Sequence, residues 1–126
     1  MTPRAIAKQA LIDELESGRA RLLTEDSGRC LLQAIRRRLQ TITNNLYILR
    51  WIPEQGDDLY DVLVDGTSVV HVEIPRNGDR ETVFDLVTVE VYQGRATTFT
   101  KTDRRKLEVA LELAGVSPSI GGPAVH

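Results

Sequence analysis

Two valine-rich runs joined through Asp65-Gly66 constrain the fold more than any other feature of the chain. Residues 59–64 and 67–74 alternate in polarity, as half-buried strands do. An Asp-Gly pair between such runs is a strong hairpin signal. Loop parity decides the register. An even loop would oppose odd positions to even ones and mix polar with apolar residues on both faces. An odd loop, with Gly66 in the left-handed conformation, places Tyr60, Val62, Val64, Val70, Val72 and Ile74 on one face. Leu59, Asp61, Leu63, Val69, His71 and Glu73 then share the other. A slip of one residue would turn a whole apolar set to water, so the odd loop is expected.

The sheet extends on both sides of this hairpin. From Leu46 onward Tyr47, Leu49 and Trp51 alternate with Leu46, Ile48 and Arg50; Pro53 ends the run and residues 54–58 form its turn. A second turn at 75–79 holds Asn77-Gly78. Residues 82–92 then read as the longest strand, with Val83, Val87, Val89 and Val91 on one side, and 96–99 as a threonine-rich edge strand.

Helical spacing flanks this region. Ile6, Ala10, Leu11 and Leu15 predict a helix over 4–16, with Thr2 as cap, Pro3 in the first position and Ser17-Gly18 as the stop. Residues 19–23 fit a helix or a strand equally. Cys30, Leu31, Ala34, Ile35 and Leu39 predict a second helix behind Asp26-Ser27, with its exit near Asn44-Asn45. The last begins near Thr100, where Thr100-Lys101-Thr102-Asp103 resembles a capping box, and ends at Gly115. Its stripe is Leu107, Ala110, Leu111 and Ala114. The expected class is α+β: two N-terminal helices, an antiparallel meander of four to five strands and one C-terminal helix, the helices packed on one sheet face. A length of 126 residues sets one domain. It is assigned to 1–116, with 117–126 as a flexible tail.

The net charge of −2 excludes a strongly basic nucleic-acid coat. Its distribution is uneven: residues 1–45 carry +3, residues 46–100 carry −6 and residues 101–126 carry +1. An acidic sheet region between basic helices fits a surface that recruits a basic partner. The lone Cys30 cannot close an intrachain disulfide or build a Cys-rich zinc site, and its place beside Leu31 predicts a buried thiol. No run of apolar residues is long enough to span a membrane and no secretory signal is visible, so the cytoplasm is the expected location. Thirteen arginines against three lysines point to a GC-rich bacterial coding sequence.

Three surfaces follow as candidates. The first is a protein-binding surface on the acidic sheet face, with Asp57, Asp58 and Asp61, and on the edge strand, with Thr97 and Phe99. Its partner is another protein, as for an accessory or inhibitor-like protein that blocks a basic nuclease toxin, or a second copy in a homodimer built by edge pairing. The second is a nucleic-acid surface on Arg36, Arg37, Arg38, Arg104 and Arg105. Three consecutive helix positions span most of a turn, so one residue of each basic run must lie against the core. The third is a metal or proton-transfer site, because the odd loop brings Asp61, His71 and Glu73 to one face. The chain has no Gly-rich phosphate loop and no Ser elbow, and its pattern calls for no cofactor. Binding without catalysis is the leading expectation.

Overall fold

The computed structural model describes residues 2–24, 26–39, 45–54, 56–76, 81–94 and 100–115. The elements run α1 (Pro3–Thr24), α2 (Asp26–Arg38), β1 (Leu46–Glu54), β2 (Asp57–Val64), β3 (Ser68–Pro75), β4 (Val83–Thr88), α3 (Val89–Gly94) and α4 (Lys101–Leu113). The strands form one antiparallel meander in the order β1-β2-β3-β4, as an α+β chain with helices before and after its sheet requires.

The β2–β3 register is the odd-loop one. Tyr60 faces Val72, Val62 faces Val70 and Asp61 faces His71, with Val64 opposite Ser68 across three loop residues. Gly66 has φ +71°, and Asp65 joins it at φ +52°. A hydrogen bond from the Thr67 amide to the Val64 carbonyl closes the turn. Two positive φ angles in succession are what a I′ turn needs, and Asp tolerates the first better than most side chains.

Helices cover both faces of the sheet, not one. Leu31 and Ile35 of α2 bury Val62, Val64, Val70 and Val72. Leu107, Ala110 and Leu111 of α4 bury Tyr47, Leu49, Leu63 and Val69 on the opposite face. The acid-bearing face holds enough apolar surface in its upper half to seat a helix, which leaves only its Asp61 end polar.

α1 joins the two layers. It continues through Ser17-Gly18 to Thr24, so residues 19–23 are helix. Leu11, Leu15, Gly18 and Leu22 lie on one helical stripe, and the gap in hydropathy at Gly18 marks contact rather than an end. Gly18 is buried where the helix crosses the outer edge of β1 beside Ile48. Leu15 enters the core under α4 and Leu22 the core under α2. Tertiary packing here overrides the weak helical preference of one glycine.

Two strand boundaries also differ from the sequence pattern. β1 runs through Pro53 to Glu54, because an edge strand tolerates the missing amide hydrogen. β4 stops at Thr88, and Val89, Val91 and Tyr92 lie in the short helix α3 instead of extending the strand. The Thr88 hydroxyl accepts the Val91 amide at 3.2 Å and caps that helix. The proposed edge strand at 96–99 and the tail at 117–126 lie outside the described residues.

The ends of α4 follow the sequence closely. Thr100 and Asp103 form both halves of a capping box. Gly115 is left-handed at φ +90°, and its amide bonds to the Glu112 carbonyl. The Asn45 side-chain amide donates to the Ala114 carbonyl at 3.0 Å, and the Tyr47 hydroxyl donates to the Leu113 carbonyl at 3.4 Å. The start of β1 thereby completes the C-terminus of α4.

Candidate functional site

The hairpin register places Asp61, His71 and Glu73 together. His71 Nδ1 lies 2.7 Å from Asp61 Oδ1, and His71 Nε2 lies 2.8 Å from Glu73 Oε2. Asp61 is buried, and its second oxygen accepts a hydrogen bond from the Tyr92 hydroxyl at 3.0 Å. That contact needs α3, since a strand continuing through residue 92 would carry the ring past the sheet edge. Arg50, opposite Asp61 on β1, adjoins the same phenol.

Electrostatics assign the imidazole's state. The hydrogen bond to Asp61 raises the His71 pKa to about 9, against partial burial and with further help from Glu73. At neutral pH the ring is therefore an imidazolium, and both N–H groups donate to carboxylates. Burial, then the neighbouring Asp61 charge, pushes the Tyr92 phenol well above its ordinary value, so it stays a donor. A metal ligand or a general base needs a free lone pair on a ring nitrogen. Here both nitrogens are committed, and among the described residues no three His, Cys, Asp or Glu side chains converge on a point that could hold a metal. The cluster is an ion-pair clamp tying β2, β3 and α3 together.

The remaining acids do not form one free face. Asp57 and Asp61 point to one side of β2, and Asp58 points to the other. Asp58 accepts from Arg76 at 2.9 Å and from the Trp51 indole at 3.3 Å. The Arg76 hydrogen bond holds its carboxyl below the ordinary range. Thr97 and Phe99 lie outside the described residues.

The basic runs are separated by the sheet. Arg36, Arg37 and Arg38 end α2 on the valine face, and Arg38 sits 5.4 Å from the centre of the Phe84 ring. Arg104 and Arg105 begin α4 on the other face, where Arg105 donates to the Arg4 carbonyl at 3.4 Å. Arg36, Arg37 and Arg38 all stay exposed, so the expected inward residue is absent from the first run; in the second, Arg105 and Lys106 are half-buried. The two runs belong to helices on opposite faces of the sheet. Cys30 is exposed rather than buried, so α2 turns it away from its apolar stripe.

Two features escaped the sequence pattern. A bulge between Ile48 and Arg50 inverts the alternation of β1. It puts Trp51 opposite Tyr60, on the face away from Tyr47 and Leu49, with the rings stacked at 6.4 Å. Trp51 is 57% exposed, where alternation alone would have placed it in the core. Beside it a groove of about 440 Å³ opens between β1 and α1. The second feature is β4, whose outer edge pairs with nothing among the described residues. It exposes Val83 and Leu86, and Val91 of α3 lies exposed just beyond. No signal in the sequence marks a bulge, and the valine run that reads as an interior strand ends the sheet among the described residues. Comparison with protein-family models, with curated proteins and with solved structures finds no match for the chain.

Proposed function

We propose that this chain is a non-enzymatic binding module that contacts other chains through the borders of its sheet, and that one such contact is a homodimer joined along β4. The observation that carries the reading is the outer edge of β4, which pairs with nothing among the described residues and exposes Val83 and Leu86. Monomeric proteins blunt such an edge with lysine, proline or a covering loop. The strand itself, Val-Phe-Asp-Leu-Val-Thr, contains neither residue.

A second copy suits this edge because an antiparallel border is complementary to itself about a two-fold axis. Pairing centred on Leu86 would set Leu86 against its own copy, Phe84 opposite Thr88 and Asp85 opposite Val87. No like charges oppose directly, whereas a centre at Asp85 would oppose two carboxylates. The committed state of His71 also favours binding over catalysis, as does the division of the basic residues between two faces.

Sedimentation equilibrium tests the proposal. A species of twice 14.1 kDa is expected at micromolar concentration, and Leu86→Lys should return it to the monomer with an unchanged circular dichroism spectrum. A wild-type chain that stays monomeric up to millimolar concentration overturns the homodimer.

A further inference from the structure

The groove beside β1 has an unusual lining. It touches Ile48 and then Arg50, Trp51 and Ile52 in succession. Successive strand residues point to opposite faces. A cavity in contact with three in a row must therefore lie against the strand's edge, where the backbone amide and carbonyl groups project. Among the described residues β1 is a border strand of the sheet. α1 meets this border at Gly18 beside Ile48, and the groove lies between β1 and the α1 residues Glu14, Gly18, Arg21 and Leu22.

The two walls differ in chemistry. On the valine face lie Leu22, Leu31, Ile48, Trp51 and Tyr60. On the other, Arg50 and Lys106 stand with Ile52, and Lys106 is held by an ion pair to Glu14. Arg21 adds a further cation at the rim. With Lys106 and Glu14 offsetting each other, the groove retains an excess of positive charge.

We propose that this groove binds an extended segment of another protein in which acidic and apolar residues alternate, docked as an added strand on β1. Such a segment would present its apolar side chains to Ile48, Trp51 and Tyr60, above the buried Leu22 and Leu31, and its carboxylates to Arg50. Its backbone would hydrogen-bond to the border of β1, the mode by which sheet edges capture peptides. Pro53, which lacks an amide hydrogen, limits the docked stretch at one end, and the α1 crossing limits it at the other. The partner is therefore acidic here, opposite in sign to the basic partner that the overall charge layout favours. The inference belongs to the same binding-module reading but uses the opposite border of the sheet. It holds whether or not β4 joins two copies.

Trp51 is the sole tryptophan, so its fluorescence reports on the site directly. The probe is an acetylated, amidated Leu-Glu-Leu-Glu-Leu-Glu peptide titrated into the full chain and into the Leu86→Lys variant. Saturable blue-shifted emission is expected in both at sub-millimolar peptide. A peptide of the same composition in two blocks, and one N-methylated at alternate amides, should each bind at least tenfold more weakly. Replacing glutamate by lysine in the peptide should abolish binding, and Arg21→Glu, on the exposed rim, should weaken it severalfold. Absence of saturable change up to millimolar peptide overturns the proposal. Equal binding of the blocked or N-methylated peptide, or of octanoate alone, overturns it as well, since each would reveal a site that does not read a strand.

Discussion

Replacing His71 tests the clamp that holds α3 on the sheet. In the folded chain the imidazole pKa is raised from 6.5 to about 9, first by the hydrogen bond to Asp61. A folded-state value above the unfolded one means that the folded chain keeps a proton that the unfolded chain gives up sooner. The resulting stability is complete below about pH 6.5 and is lost as pH rises through about 9. At about 1.4 kcal/mol per pH unit, the ceiling is about 3 kcal/mol. The His71 side chain is 35% exposed, so solvent screening reduces this to about 1–2 kcal/mol. Urea unfolding followed by far-ultraviolet circular dichroism at intervals between pH 6 and 9.5 measures it. The wild type should lose that amount across the window. His71→Gln should be less stable at pH 6 and nearly flat above it. Proton NMR gives an independent reading, because the imidazole resonance lost in the variant should titrate near pH 9. A midpoint near 6.5, or wild-type stability unchanged from pH 6.5 to 9, would refute the ion-pair account.

Two further outcomes follow from the same contacts. Tyr92→Phe removes the hydroxyl bonded to the buried Asp61 carboxylate and should cost about 1.5–3 kcal/mol, the usual range for a bond to a charged group, measured by the same urea curves. Gly18→Ala should stabilise the chain by about 0.5–1 kcal/mol, because a methyl there meets only the Ile48 side chain at ordinary contact distance and the helix gains a better former; a lowered melting temperature would place the α1–β1 approach closer than described.

Much of the fold was legible because its signals are local. The Asp65-Gly66 turn fixes the register of two strands within sixteen residues, and that register alone unites Asp61, His71 and Glu73. The Thr100–Asp103 box and Gly115 bracket α4 by contacts within one turn. What stayed hidden depends on distant partners. Residues 89–92 have strand-forming side chains, yet the Thr88 cap and the Asp61 carboxylate draw them into a helix. Ser17-Gly18 resembles an ending until Ile48, thirty residues away, supplies the contact that carries the helix across it. The inversion of β1 at its bulge follows from packing Leu49 under α4, and it alone decides that Trp51 faces the groove instead of the core. The binding surfaces were read as an acidic face because charge is visible in a sequence; the borders that the sheet leaves open are visible only in its topology.

The crossing of α1 over the sheet's border bears on how the chain matures during synthesis. The N-terminal half of that helix leaves the ribosome first, yet Leu15 shares its core with Leu107, Ala110 and Leu111, made about ninety residues later. Leu22 finds Leu31 and Ile35 almost at once. One end of a single helix can therefore settle early, while the other waits for α4 to emerge. Nascent chains stalled before α4 should leave Leu11 and Leu15 open to chaperones that recognise bare leucine.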